Sequence, residues 1–258
     1  MKDSRSLKMS AAIIVTMLIT LLALPSMAFA QLTVNAARNH VKIRALYHGD
    51  TVSLSGRTDP GADLVIKIAS TESATTLRQK GKVGFFWLNT VKLKFAHVPH
   101  LYLLYGSHDP KNILEQAELD KYIIGYPSLG KHASITPVKD ESEKTKWFNE
   151  FIKFKEASGL YGINLNSISI TQKGGQELYN INIDWPYQIP PGDYKATVYE
   201  IKDGKVVGKA DTGISVKQDG LVKIIADMAS KNGAMYGIMS IIIALVVGFA
   251  IGLIFKKS

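Results

Sequence analysis

Between Leu32 and Tyr105 apolar and polar side chains alternate. "HVKIRALYHG" sets Val41, Ile43 and Ala45 on one face, and "TVSLSG" sets Val52 and Leu54 together. "DLVIKIAS" places Leu64, Ile66 and Ile68 on one side and Val65 on the other, while "VKLKF" opposes Val91, Leu93 and Phe95 to Lys92 and Lys94. A period of two predicts strands with one face against a core. The breaks at 48–50, 58–63 and 88–90 carry turn residues. In "FFWLNTVKLKFAHVPH" (85–100) the pattern predicts a hairpin turning at Asn89-Thr90, with Phe85, Phe86 and Trp87 as core.

The period then changes. Asp109 followed by Pro110 is a helix-start pair, and "NILEQAELDKYI" continues it. After Thr136-Pro137, "KWFNEFIKFKEA" carries Trp147, Phe148, Phe151, Ile152 and Phe154 at helical spacing. Such a stripe packs on a sheet. Asp140 and Lys144 make an i, i+4 pair, and Gly159 is a natural stop. Strands return from Ile163, with hairpins expected at Gly174-Gly175 and Asp203-Gly204. "IPPGDYKATVYE" resembles the entry to a late strand in immunoglobulin-like sandwiches, with Tyr194 as a tyrosine corner. The predicted fold is mainly β: an immunoglobulin-like β-sandwich body, as one split sandwich or two small ones, with a helical insert and a C-terminal transmembrane helix.

The two ends set the location. Lys2, Arg5 and Lys8 precede the apolar run Ala11 to Leu24, and Ala28-Phe29-Ala30 supplies small residues for cleavage. That order is a signal peptide's. Met235 to Phe255 carries no charge and is long enough to cross about 30 Å of hydrocarbon. Lys256 and Lys257 mark the cytoplasmic side. Gly248 and Gly252 form a GxxxG pattern, a weak helix-pairing signal. The expected organisation is therefore a signal peptide (1–30), a first β-rich part (31–108), a helical insert (109–158) and a second β-rich part (159–218). A juxtamembrane helix (219–234) with Leu221, Ile224, Ile225 and Met228 on one face follows, then the membrane helix (235–255) and a cytoplasmic tail (256–258). The expected site is the inner membrane, single-pass, with the body in the periplasm.

Charge and chemistry narrow the functions. The chain is +9 at pH 7 with its basic residues spread along it, which argues against nucleic acid. With no cysteine, disulfides and thiolate chemistry are excluded. No GxSxG elbow, P-loop or GxGxxG fingerprint is present. His97 and His100 flank Pro99 in strand and turn, so helical spacing does not join them. A zinc site wants three or four ligands, and nothing in the sequence gathers His40, His48, His108 or His132 around these two. Asp59, Asp63, Glu141 and Glu143 read as surface charge; Asp184 beside Trp185 is the acid most worth locating. No catalytic, cofactor-binding or metal-ligating residue is assigned, and no cofactor is implied.

Several stretches carry a resemblance to a known family. They are "HVKIRALYHGDTVSLSG", "LRQKGKVGFFWLNTVKLKFAHVPHLYLLYGS", "GLYG", "LYNINIDWPYQIPPGDYKATVYEIKDGKVV" and the closing "KQDGLVKIIADMASKNGAMYGIMSIIIALVVGFAIGLIFKK". Together they resemble the transmembrane protein family of unknown function first described from alphaproteobacteria. His97 and His100 stand where that family often has small or polar residues, and 70–80 lacks the glycine-proline turn the resemblance implies. Members tend to be encoded near permeases resembling sulfite or sulfonate exporters, which implies a membrane partner. The expected function is a non-enzymatic, membrane-anchored binding or accessory module for another envelope protein. The alternative is a periplasmic ligand- or metal-binding sensor, which requires His97 and His100 to converge with a carboxylate or a third histidine.

Overall fold

The computed structural model describes residues 32–255, apart from 84, 174 and 175. The expected signal peptide (1–30), the expected cytoplasmic tail (256–258) and the expected Gly174-Gly175 turn lie outside the described residues.

Strands dominate the body. β1 (Asn35–Ala36), β3 (Asp50–Thr58), β11 (Gln176–Trp185) and β10 (Ser169–Lys173) form a four-stranded sheet in that order. β2 (His40–Ile43), β13 (Lys205–Gln218), β12 (Gly192–Lys202), β4 (Asp63–Ser70), β7 (Tyr102–Gly106) and β9 (Tyr161–Leu165) form a six-stranded one. Its two outermost pairings, β2 with β13 and β7 with β9, are parallel. β5 (Glu72–Val83), β6 (Phe86–Pro99) and β8 (Ser134–Thr136) make a third sheet.

The two β-rich parts of the sequence interleave. β3 pairs with β11 and β4 with β12, so each large sheet contains strands from both sides of the helical insert. The insert holds α1 (Pro110–Ile113), α2 (Gln116–Tyr122), α3 (Tyr126–His132) and α4 (Glu141–Ala157).

The six-stranded sheet is buried on both faces at its centre. Leu64, Ile66 and Ile68 of β4 face one core with Val52, Leu54, Ile181, Ile183 and Trp185 of the four-stranded sheet. Val65, Leu104, Tyr199 and Ile201 face a second core with Phe95, Leu129, Phe148, Phe151 and Ile152. This explains why "DLVIKIAS" is apolar on both sides. The expected stripe on α4 packs as a core face: Phe148, Phe151 and Ile152 are buried and Phe151 stacks on Phe95 at 4.6 Å, while Phe154 is exposed.

Local signals account for several boundaries. The Asp109 carboxylate accepts from the Lys111 amide (3.0 Å) and starts α1. Asp140 accepts from the Glu143 amide (2.8 Å) and starts α4. Because Asp140 serves as cap, Lys144 pairs instead with Glu141 at 3.2 Å, not with Asp140 as expected. The β12–β13 turn uses positive φ at both Asp203 (50°) and Gly204 (78°), the conformation that aspartate-glycine favours. The Tyr194 hydroxyl donates to the Pro190 carbonyl (2.6 Å), the hydrogen bond of a tyrosine corner.

The 85–100 reading needs correction. β5 pairs residue by residue with β6, and Asn89 lies inside β6 opposite Lys80, so the reversal falls between Val83 and Phe86 rather than at Asn89-Thr90. Phe85 and Phe86 are not core: they are 95% and 71% exposed. Among the described residues no layer covers the outer end of this two-stranded arm, so Phe85 and Phe86 stand in solvent. The single helix expected across 110–122 is also interrupted, because Leu114 and Glu115 are extended between α1 and α2.

After the body come α5 (Leu221–Lys231) and α6 (Gly233–Phe255). Leu221, Ile224 and Ile225 are exposed on α5. The 23 residues of α6 are long and apolar enough to cross a bilayer, and none is buried by the protein.

Candidate functional site

β4 runs into β5 through Thr71 alone, which puts Glu72 at the root of the β5–β6 arm, opposite Pro99. In the arm, Ser73 pairs with Val98 but Thr75 pairs with Phe95, so Ala96 and His97 together oppose Ala74. That extra residue is a β-bulge. His97 takes it up with φ of 58°, a left-handed conformation uncommon for a residue with a Cβ, though histidine is among those that tolerate it best. The bulge re-aims the imidazole off the strand's regular alternation.

A second element brings a second imidazole. β8 pairs with β6 through Ala96↔Ser134, the residue before His97. α3 ends in His132, two residues before Ser134. The sheet register thus carries the end of α3 to the bulge. His132 Nε2 lies 2.9 Å from Glu72 Oε1, and His97 Nδ1 lies 3.7 Å from Glu72 Oε2. The two rings meet edge-on, 5.8 Å between centroids. One nitrogen from each histidine and a carboxylate oxygen all lie within 4.8 Å of one another, open to solvent.

His100 points elsewhere. Its Nε2 is 3.1 Å from the Ser73 hydroxyl, its amide donates to Ser70 Oγ (2.7 Å), and its carbonyl accepts from Lys155 Nζ (3.1 Å). Burial, with the Lys155 charge adding to it, lowers its pKa. Lys155 is itself buried, its ammonium 5.6 Å from the Phe151 ring centre and 5.5 Å from that of Tyr161. Burial lowers its pKa too. The convergence required of a histidine site therefore occurs for His97 but not for His100; the third member is His132.

The other candidates are dispersed. Asp63 accepts from Ser107 (2.7 Å) and contacts His108 Nδ1 (2.6 Å) at the surface. Asp59 pairs with Lys202 at 2.9 Å. Glu143 caps the start of α4 by accepting from the Lys139 amide (2.8 Å). Asp184 is exposed and accepts from the Thr51 hydroxyl (3.0 Å). His40 and His48 are exposed and belong to no cluster of ligating side chains among the described residues. The buried acid that the pattern did not reveal is Glu200, which accepts from the Thr58 hydroxyl (2.7 Å) and the Asp59 amide (2.6 Å). It reads as an internal tie between the sheets.

Beside Glu72 runs an open groove of about 580 Å³, with Lys67, Lys195, Lys209, Tyr102 and Tyr199 on its walls. Lys67 donates to the Tyr122 carbonyl and its pKa falls to about 8, through burial first and the Lys209 charge second.

The arm beyond this root is the other distinctive surface. Arg78, Lys80, Lys82, Lys92 and Lys94 are exposed along it, and Arg78 pairs directly across from Lys92. Between Ser73 and His100 the sequence contains no acidic residue.

A family model described as "Putative transmembrane protein (Alph_Pro_TM)" matches residues 31–257. The chain belongs to this family. The match runs through the body, the arm and α6. The family's description gives no reaction, ligand or partner. No curated protein matches the sequence.

Proposed function

We propose that the chain is a non-enzymatic, membrane-anchored module that holds its body in the periplasm and uses the β5–β6 arm to contact another envelope protein. Support comes from the arm's outer end. From Leu77 to Val83 it extends roughly 20 Å at the usual rise of a strand, with Phe85 and Phe86 at its tip almost bare to water. Two large rings side by side, without a layer above them, mark a surface made for contact. Arg78 opposite Lys92 is a repulsive cross-strand pair, costing a few tenths to about 1 kcal/mol, which an acidic partner relieves. The partner's chemistry is therefore an apolar pocket with an acidic rim. A permease of the same membrane is the class that the family resemblance implies. The signal-peptide pattern and the lysines at 256–257 support the periplasmic orientation.

A photo-crosslinking residue at Phe86 or Val91, in the full-length chain in its native membrane, tests this reading. With the crosslinking residue at Val91, the expected product is one reproducible protein adduct, lost in Phe85→Ser/Phe86→Ser and weakened in Arg78→Glu/Lys92→Glu. Crosslinks to lipid alone, or a protein adduct unchanged by all four substitutions, overturn it.

A further inference from the structure

We propose that Glu72, His97 and His132 bind a divalent late transition-metal ion, with zinc as the ion to test. The site is independent of what the arm's tip contacts.

The donor set fits this chemistry. Two imidazole nitrogens and one carboxylate oxygen suit zinc, copper or nickel far better than magnesium or calcium, which take oxygen ligands. Two histidines and a glutamate are also a recurrent three-ligand set for zinc, leaving a fourth position to water or another group. The spacing fits as well. Ligand atoms bonded at about 2.0–2.1 Å in a tetrahedron stand about 3.3 Å apart. The two imidazole–carboxylate separations, 2.9 Å to one Glu72 oxygen and 3.7 Å to the other, lie on either side of that value, and one donor atom from each of the three residues falls within 4.8 Å of the others.

The three ligands come from three elements, the start of β5, the bulge of β6 and the end of α3, and each is placed by backbone pairing rather than by a loose loop. His97 occupies the bulge in a left-handed conformation that asparagine or glycine meets at less cost. A bulge that turns an imidazole onto a carboxylate already contacting a second imidazole has a function in ligation that an ordinary surface residue lacks. A bound ion would rivet the root of the arm to the helical insert. Glu72 also borders the lysine-lined groove.

The test is zinc binding by the full-length chain, stripped with a chelator in detergent and titrated against a chromophoric zinc competitor. One equivalent of zinc is expected, with affinity at least tenfold weaker in Glu72→Gln, His132→Ala and His97→Gly. The last substitution removes the ligand while easing the backbone, so a loss there cannot be laid to misfolding; circular dichroism checks the other two. Zinc should raise the thermal midpoint of the native sequence and leave that of the three variants unmoved. His40→Ala and His108→Ala should bind as the native sequence does. Absence of binding, equal binding by the three variants, or equal stabilisation by magnesium overturns the proposal.

Discussion

Alkaline pH is the most informative stress for this body. Tyr102, Tyr105, Tyr161, Tyr179, Tyr194 and Tyr199 are all buried. Burial is the largest cause raising every one of their hydroxyl pKa values: to about 12 for Tyr105 and Tyr194, and above the ordinary 10 for the other four. The unfolded chain releases these protons near pH 10; the folded chain keeps them. Nothing is lost below that value. Above it, each residue removes about 1.4 kcal/mol of stability per pH unit until its folded pKa is reached. At pH 11 the six together remove about 8 kcal/mol, on the order of the whole stability of a domain. The body should therefore unfold cooperatively between about pH 10 and 11. The assay follows tryptophan fluorescence, which reports the buried Trp185, beside phenolate absorbance in the detergent-solubilised chain. The two signals should move together. Phenolate forming at these sites while fluorescence stays native, or a body still folded well above pH 11, would refute the claim that these hydroxyls are desolvated.

Two more outcomes follow from single residues. Lys67 gives up its proton at about 8 in the folded chain and at 10.5 when unfolded. Stability should therefore rise from pH 8 towards 9.5, by about 2 kcal/mol from this group. Lys67→Met should lose that part of the rise in denaturant titrations; an unchanged slope would contradict it. At Gly56 an added Cβ would sit 1.9 Å from the Thr33 carbonyl oxygen and 2.6 Å from the Tyr179 hydroxyl, which donates to that same carbonyl. Gly56→Ala should cost about 1–3 kcal/mol and speed hydrogen exchange at Thr33, whose amide donates to the Arg57 carbonyl, and at Arg57, whose amide donates to the Thr33 hydroxyl; normal protection there would show that Thr33 does not lie this close to Gly56.

Much of the fold was legible because its signals are local. Period-two alternation found β2, β3, β4 and the inner half of β6, the Asp109-Pro110 start found α1, and the aromatic stripe at helical spacing found α4. What failed has a physical pattern. β5 carries few apolar side chains because only its inner half, as far as the half-buried Leu77, touches the core, so alternation gave it no signature. Phe85 and Phe86 looked like core because hydrophobicity in sequence does not say whether a layer covers it. α3 is punctuated by Pro127 and Gly130 and was not read as a helix. The histidine cluster was invisible for a related reason: Glu72, His97 and His132 are joined by the Ala96↔Ser134 pairing and a bulge, neither of which has a spacing rule. Conversely, Pro99 rightly broke the apparent link between His97 and His100.

The interleaving of the sheets has a consequence for how the protein is made. Hydrogen bonds between the two halves, Thr51 with Asp184, Ser53 with Asn182 and Thr58 with Glu200, join residues 133, 129 and 142 positions apart. A chain delivered from its N-terminus can pair β3 with β1 and β4 with β7, but the other edge of each waits for β11 and β12, and such distant pairings close slowly. Until then two apolar strands have open edges, the usual substrate for a chaperone. β13 ends at Gln218 and α5 begins at Leu221. Maturation of the body and arrival of the membrane helix thus fall almost together, so a premature stop before α6 would release a complete set of body strands, whereas one before β11 would leave an aggregation-prone fragment.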